Sequence, residues 1–331
     1  MITKYSAKIS GTGHYVPDKI VNNYDLEKLV DTSDEWIRTR TGMFERHFVA
    51  DDQAASDLAY EASIKALDAA NIKAKDLGMI IVATISMDHP FPSTACILQK
   101  KLGVKGFPAF DVSAGCTGWI YAANIAKQYI ENGIAEHILI IGVEILSQLI
   151  NWNDRGTCVL FGDGAGATVL SRAEPKDISR FIDSEISADG THYDLLMQEA
   201  GGSRMPASKE SIDQNLHTVY MEGNKIFKLA VRSMHDVCDT VLKRNHMDVK
   251  SIDWLITHQA NLRIINALGK KMKIDHEKVI VNIEKYANTS SATIPIALDE
   301  SIHNGKVRHG DIILTASFGA GLTAGSILFR L

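Results

Sequence analysis

Four segments in the first half of this chain recur, in the same order, in the second half. Asp76–Ser86 (DLGMIIVATIS) and Ser251–Asn261 (SIDWLITHQAN) each read as a strand that ends in polar residues. After a helical stretch, FPAFDV and KVIVNI each supply a second strand, and each leads into another helical stretch. HILIIGVE and DIILTASF are the third pair of strands, and FGDGAGATVLS is matched by FGAGLTAGSILF, a glycine turn followed by a last strand. A fixed order recurring at long period means two copies of one supersecondary plan. Strands alternating with helices imply a mostly parallel sheet covered by helices in each copy. The expected fold class is α/β, in two duplicated halves. The polar stretch Ser171 to Arg180 divides them into residues 1–175 and 176–331. Functional residues are then expected at strand ends, where the halves meet.

Composition narrows the possibilities further. The chain has 331 residues, 45% hydrophobic and 23% charged, with only seven prolines, enough apolar material for the cores of two halves. A net charge of -5 gives no reason to expect nucleic acid as a partner. The segment MITKYSAKISGTG lacks the uninterrupted apolar run of a secretory signal. The longest apolar stretch, HILIIGVEILSQLI, is broken by Glu144 and too short to span a bilayer. Cys96, Cys116, Cys158 and Cys238 form no C-x-x-C pair, which argues against a zinc ribbon or redox motif. A soluble cytoplasmic protein with no membrane or metal partner is expected.

Three junctions carry side chains suited to catalysis. Cys116 lies in AFDVSAGCTGWIYAANIA, where a strand runs through small residues into a helix. A thiol at a helix N-terminus feels the partial positive charge of unpaired N–H groups, which favours thiolate. His258 ends the strand-like IDWLITH, and Asn288 follows VIVNIEKYA just before TSSATIPIALDESI. Cysteine, histidine and amide at such positions suggest acyl transfer through a thioester. Each has a bland alternative. An arbitrary cysteine is usually inert packing, the reading given to Cys96, Cys158 and Cys238. A histidine is usually a surface or satisfied core residue, and an asparagine before a helix is usually a cap.

The glycine turns and the basic helix also need both readings. Gly162 to Ala167 satisfies G-x-G-x-x-A, but a strand follows rather than a helix, so the dinucleotide reading fails. Both glycine segments are structural turns by default, although a backbone N–H of Gly319 or Ala320 is a candidate oxyanion donor. Arg263, Lys270, Lys271 and Lys273 follow His258 and form either a solvated face or a dock for an acidic partner.

At these residues the sequence resembles the β-ketoacyl-acyl carrier protein synthase III family. The resemblance spans the chain through GTGHYVPDKIVNNYDLEKLVDTSDEWIRTRTGMFERH, HPFPSTACILQKKLG, DVSAGCTGW, NDRGTCVLFGDGAGA, MEGNKIFKLAVR, HQANLRI, YANTSSATIP and FGAGLTAGS. It implies the thiolase-like fold, layered α-β-α-β-α, and a homodimer. It implies that Cys116 accepts an acyl group from coenzyme A, with His258 and Asn288 completing the catalytic set. Malonyl-acyl carrier protein then loses CO₂, the carbanion attacks the acyl-cysteine, and the N–H groups of Cys116 and Ala320 hold the oxyanion. Fatty-acid synthesis would start in this way, with no metal or redox cofactor. Trp36, Arg40, Arg155 and Asn261 align with coenzyme A-binding positions. Phe91 aligns with a residue that closes the acyl pocket across the dimer. Arg263 aligns with the carrier-protein dock, with Lys228, Lys270 and Lys271 as neighbours. Gly115, Trp119 and Ala324 depart from frequent family residues and leave the acyl pocket's size and shape open, and with them the choice among straight acetyl, branched, longer or aromatic starters.

Other readings are weaker. Papain-like hydrolases share the order Cys, His, Asn but place C-G-[SA]-C-[WY] near the mature N-terminus, unlike the CTGW found here. A relative in secondary metabolism would use a non-acetyl starter or another acceptor. A non-catalytic thioester binder would not need all three polar residues. A degradative thiolase would be expected to carry a second catalytic cysteine near the C-terminus, and none follows Cys238.

Overall fold

The computed structural model describes residues 5–331. Its core is two five-stranded sheets of the same plan. The first contains β1 (Ser6–Tyr15), β2 (Met79–Ala83), β3 (Ala109–Val112), β4 (His137–Glu144) and β5 (Gly164–Ala173), in the order β1-β5-β4-β2-β3. The second contains β6 (Arg180–Ala188), β7 (Trp254–Thr257), β8 (Val279–Ile280), β9 (Ile312–Gly319) and β10 (Thr323–Arg330), in the order β6-β10-β9-β7-β8. Each strand of the second sheet thus repeats the place of the strand five earlier. Residues 174–179 connect the two sheets.

The sheets are mixed rather than mostly parallel. β3, β2 and β4 run parallel, whereas β5 and β1 are antiparallel additions. The second sheet repeats this, with β8, β7 and β9 parallel and β10 and β6 antiparallel. A parallel neighbour needs a crossover of a dozen or more residues, usually a helix, whereas a short turn returns the chain antiparallel. Gly319 and Thr323 face each other across such a turn between β9 and β10.

Helices make the other layers. α1 (Asp34–Thr41) lies outside the sheets, with Ser33 capping it through the Trp36 N–H and Gly42 ending it in the left-handed region. α2 (Ala55–Ala70) and α3 (Thr94–Lys101) cover the outer face of the first sheet. α4 (Gly118–Glu131) lies between the sheets, α5 (Gly223–Arg244) and α6 (Leu262–Met272) cover the second sheet outside, and α7 (Thr293–His303) joins α4 inside. Strand alternation builds this sandwich. In β2, Met79, Ile81 and Ala83 face the central layer while Ile80 and Val82 face α2 and α3. The layering is α-β-α-β-α, as the thiolase-like fold requires. Among the described residues no helix is long and apolar enough to cross a membrane.

Two glycines let the halves touch where the chemistry sits. A Cβ on Gly142 of β4 would lie 2.3 Å from the Ser291 carbonyl oxygen, and one on Gly319 of β9 would lie 2.6 Å from the Cys116 nitrogen. Real Cβ atoms do not approach so closely, so these positions accept glycine alone.

Candidate active site

Cys116 sits in a single 3-10 turn, Gly115–Thr117, between β3 and α4. Gly115 supplies a φ of 52°, and the Ser317 hydroxyl of β9 donates to the Cys116 carbonyl at 2.8 Å, tying the turn to the other half. Burial pushes the thiol up to about 12; Glu144 adds to the rise, and the Ser290 hydroxyl offsets part of it. The residue itself is partly open, lining a cavity of about 800 Å³. The sequence expectation of a ready thiolate is not met. The raised pKa favours a thiol near pH 7, so a nucleophilic role for Cys116 would require a group that takes its proton.

His258 follows β7, its N–H donating to the Ala316 carbonyl at 2.8 Å. Its Nδ1 lies 2.7 Å from the Thr293 hydroxyl, which leaves Nε2 as the ring nitrogen available to a ligand. Burial pushes the imidazolium down to about 3, so the ring is neutral near pH 7. A hydroxyl can serve either tautomer. The same Thr293 hydroxyl lies 2.9 Å from the Ser290 carbonyl; in the tautomer where it turns its one proton to Nδ1 instead, Nε2 carries the ring proton and is a hydrogen-bond donor.

Asn288 does not follow a long strand, because β8 is only Val279–Ile280 and a one-turn helix, Ile283–Tyr286, intervenes. Its backbone is held instead by the first half: its N–H donates to the Leu160 carbonyl at 3.0 Å, and its carbonyl accepts from Gly162 at 3.1 Å. Its side-chain oxygen accepts from the Ser290 N–H at 2.8 Å. That fixes the amide's orientation and leaves its NH₂ as a donor.

Cys116, His258, Asn288, Ser290, Gly115 and Ala320 all line the one cavity. A Cβ on Gly115 would lie 2.9 Å from the Ala320 nitrogen, so the Ala320 N–H is beside the Cys116 turn. The cavity runs from His258 and Asn288, 4% and 7% exposed, to exposed Arg40, Lys228 and Arg263. Ile85, Leu146, Leu160, Phe161, Leu196 and Phe318 make much of its wall apolar. Such a shape suits a long thioester with a polar, anionic outer end.

The outer end carries the predicted nucleotide-binding residues. Trp36 lines the cavity, with the Arg155 guanidinium 4.9 Å and that of Arg40 5.7 Å from its ring centroid. Arg155 itself lies just outside the lining and donates to the Asp31 carbonyl at 2.9 Å. Asn261 lines the cavity, yet its amide is already engaged: the oxygen caps α6 through the Arg263 N–H, and the NH₂ donates to the Arg40 carbonyl. Arg263 lies over Phe227, 5.8 Å from its centroid. Lys270 and Lys271 are exposed in the last turn of α6 and do not reach the cavity.

Some expected residues lie elsewhere. Phe91 is 85% exposed and outside the cavity of its own chain. Of the three departures in doubt, only Gly115 borders the cavity; Trp119 is buried in the central layer and Ala324 in the second sheet's outer core. Cys158 and Cys238 are buried, but Cys96 is exposed rather than packed. The turn of FGDGAGA is structural, since Asp163 accepts from the Val49 and Ser147 N–H groups and the Ser147 hydroxyl. Among the described residues no group of three or more His, Cys, Asp or Glu is placed to hold a metal ion. Sequence reasoning did not single out Thr293 or Ser290. It also missed Glu144, although a carboxylate interrupting the longest apolar run was itself a signal.

Comparison with known proteins gives the same picture. Residues 110–190 match the family described as 3-Oxoacyl-[acyl-carrier-protein (ACP)] synthase III, and residues 242–331 match its C-terminal part. A β-ketoacyl-[acyl-carrier-protein] synthase III of Caldanaerobacter subterraneus subsp. tengcongensis is 53% identical over 330 residues, covering 100% of this chain and 99% of the relative. One from Xylella fastidiosa is 46% identical with 100% of both chains covered. The crystal structure of 3-oxoacyl-[acyl-carrier-protein] synthase III from Aquifex aeolicus superposes with a TM-score of 0.91 at 46% identity, over 98% of this chain and 100% of that one. Duplicated sheets, a cysteine turn facing an amide and an imidazole, and full-length relatives at this identity agree: the chain belongs to the β-ketoacyl-[acyl-carrier-protein] synthase III family.

Proposed function

We propose that this chain is a β-ketoacyl-acyl carrier protein synthase III, an acyltransferase that starts fatty-acid synthesis by decarboxylative condensation. The observation that carries the residue roles is the convergence of a thiol, a neutral imidazole and an oriented amide on one deep cavity. In the first half-reaction Cys116 attacks the thioester carbonyl of an acyl-coenzyme A. The N–H groups of Cys116 and Ala320 face the developing oxyanion, and the coenzyme A thiolate leaves. In the second, malonyl-acyl carrier protein occupies the cavity. The Asn288 NH₂ and His258 Nε2–H donate to its thioester oxygen as CO₂ departs and enolate charge grows. Preorganised donors matter most where charge develops in a water-poor site. The carbanion attacks the acyl-Cys116 carbonyl, and collapse releases a β-ketoacyl-acyl carrier protein.

Substrate and partners follow from the cavity's outer end. Trp36 with Arg40 and Arg155 offers an aromatic face and cations for a nucleotide, and Asn261 holds that end in shape. Lys228 and Arg263 at the mouth, with Lys270 and Lys271 further along α6, suit an acidic acyl carrier protein. A fully exposed phenylalanine at Phe91 and a free sheet edge at β3 fit a homodimer in which Phe91 reaches the partner's acyl pocket. The thioester is a substrate, and the chemistry calls for no metal or redox cofactor. Four free cysteines suit the reducing cytoplasm. A secondary-metabolism role is not favoured, since the full-length relatives above are synthases III of the acyl carrier protein type.

The test is intact-protein mass after incubation with a panel of acyl-coenzyme A donors, followed by malonyl-acyl carrier protein. The expected result is an acyl adduct absent from Cys116→Ala and discharged by malonyl-acyl carrier protein with release of CO₂. An adduct that persists would remove the condensation step.

A further inference from the structure

One carboxylate in this region has no part in the steps above. Glu144 ends β4, is fully buried, and among the described residues forms no ion pair with lysine or arginine. Its Oε2 accepts from the Ser86 hydroxyl at 2.7 Å, the Ile85 N–H at 3.1 Å and the Thr84 hydroxyl at 3.3 Å. Its Oε1 accepts from the Ser290 hydroxyl at 3.1 Å. An unpaired buried carboxylate is costly, and one held by neutral donors alone calls for an explanation.

Ser290 links this carboxylate to the nucleophile. Ser290 lines the same cavity as Cys116, its hydroxyl draws the thiol's pKa down, and that hydroxyl donates to Glu144 at 3.1 Å. Its N–H donates to the Asn288 side-chain oxygen, and its carbonyl lies 2.9 Å from the Thr293 hydroxyl that also adjoins His258. It adopts a φ of 50°, which residues with a Cβ rarely do and which costs on the order of 1–3 kcal/mol. The N–H and hydroxyl of Ser290 are thus both committed, and the hydroxyl joins the cavity that holds Cys116 to the buried carboxylate. The titratable groups facing this cluster are Cys116 on the turn after β3 and His258 after β7, the latter neutral.

We infer that Glu144 accepts the Cys116 proton through the Ser290 hydroxyl during acylation and returns it when condensation frees the cysteine. The inference rests on Cys116 being the acyl acceptor, as proposed above. In acylation the Cys116 S–C bond forms and the coenzyme A C–S bond breaks. The thiol proton passes to Ser290, whose own proton passes to Glu144, and the departing coenzyme A thiolate takes a proton from solvent. In condensation the malonyl C–C bond to CO₂ breaks and a C–C bond to the acyl carbon forms. The Cys116 C–S bond then breaks, and the thiolate recovers its proton from Glu144 through Ser290. The cycle consumes one solvent proton for each CO₂ released. Burial raises the Glu144 carboxyl above its usual range, which makes it a better base than an ordinary carboxylate.

Glu144→Gln keeps the shape and the hydrogen bond from Ser290 but cannot take a proton. Stopped acylation by acyl-coenzyme A should slow by about 10²-fold or more near pH 7. Its pH profile should lose the acid limb set by Glu144 and rise instead with hydroxide. On enzyme already acylated, the first burst of CO₂ release, which precedes the proton return, should fall far less than acylation does. Glu144→Asp should restore part of the rate, and Ser290→Ala should reproduce the profile of Glu144→Gln. An independent reading on the wild type is the infrared difference spectrum on acylation, where a protonated-carboxyl band should appear and vanish with malonyl-acyl carrier protein. Wild-type acylation rate and pH profile in Glu144→Gln, or no carboxyl band in an acylated wild type, would overturn the relay. Equal loss in both half-reactions would make Glu144 structural. A wild type that takes no acyl group would instead remove the function proposed above.

Discussion

Asn288→Asp is the most informative single substitution in the donor pair. The Asn288 oxygen holds the Ser290 N–H at 2.8 Å, and the residue is only 7% exposed. Truncation to alanine would strand that buried N–H, at about 1–3 kcal/mol, and would mix a folding effect with a catalytic one. Aspartate keeps an oxygen acceptor for Ser290 and nearly the same volume, while replacing the NH₂ donor with a carboxylate oxygen. The enolate then loses one preorganised donor, worth about 2.7–4 kcal/mol or 10²–10³-fold in rate. Carboxylate charge facing enolate charge makes this a lower bound. CO₂ release from malonyl-acyl carrier protein, measured at pH 8 on enzyme charged beforehand, should fall by at least that factor. Charging of Cys116 should stay close to wild type, because the oxyanion there faces the N–H groups of Cys116 and Ala320. Decarboxylation within about threefold of wild type would refute the donor role, since even a weak hydrogen bond in the transition state is worth more. Equal loss of charging would refute the division of labour.

Thr293→Val, nearly isosteric and buried, removes the hydroxyl beside His258 Nδ1. Decarboxylation should drop about tenfold and more than charging does, because the hydroxyl lost serves both His258 and the Ser290 carbonyl. His258 is held neutral, far below the range of a free histidine. Decarboxylation should therefore show no His258 protonation limb between pH 8 and 5.5. The unfolded chain takes up a proton at this residue as pH falls below about 6.5, whereas the folded chain does so only near 3. His258 thus lowers stability progressively from 6.5 down towards 3, and in His258→Gln a denaturation series should show a shallower loss. Arg263→Glu should weaken the use of carrier-protein thioesters more than that of coenzyme A thioesters, most at low salt; equal losses would remove the docking role. Trp119→Ala, at 1% exposure in the central layer, should cost about 3–5 kcal/mol in urea unfolding.

The repeat was legible because hydrophobic strands and their polar ends survive divergence better than anything else. Four of the five strand pairs, β2 with β7 to β5 with β10, are visible as matching segments. The fifth pair, β1 and β6, was missed. Both lie on the antiparallel edge of their sheets, where no crossover helix marks a repeat. That is also why the sheets read as mostly parallel when they are mixed. Cys116 and His258 stood out because they end apolar strands. Ser290 and Thr293 went unmarked in a run of hydroxyls, since a sequence does not say which hydroxyl adjoins an imidazole and which a buried carboxylate. Phe91 shows the opposite limit. Its ring is 85% exposed, which no strand or helix pattern in the sequence signals.

The duplication also explains why anions can be handled here at all. Equivalent strand ends carry unlike groups: β3 leads to Cys116 and β8 to Asn288, β2 to Thr84 and β7 to His258, β4 ends in Glu144 and β9 in Gly319. α4 follows the Cys116 turn and α7 follows the Asn288 turn, so both helices of the central layer begin at the site. Each N-terminus favours nearby negative charge, by up to about 2 kcal/mol when partly buried. On the proposed mechanism that field would support a tetrahedral oxyanion and an enolate, states that differ mainly in where the charge sits. Glu144 in turn raises the thiol. Neutralising it as glutamine should therefore lower the pKa of Cys116, measured by alkylation or thiolate absorbance, while slowing acylation near pH 7. A packing defect has no reason to make the thiol more acidic and acylation slower together. A proton acceptor removed from the focus of two helix ends produces both.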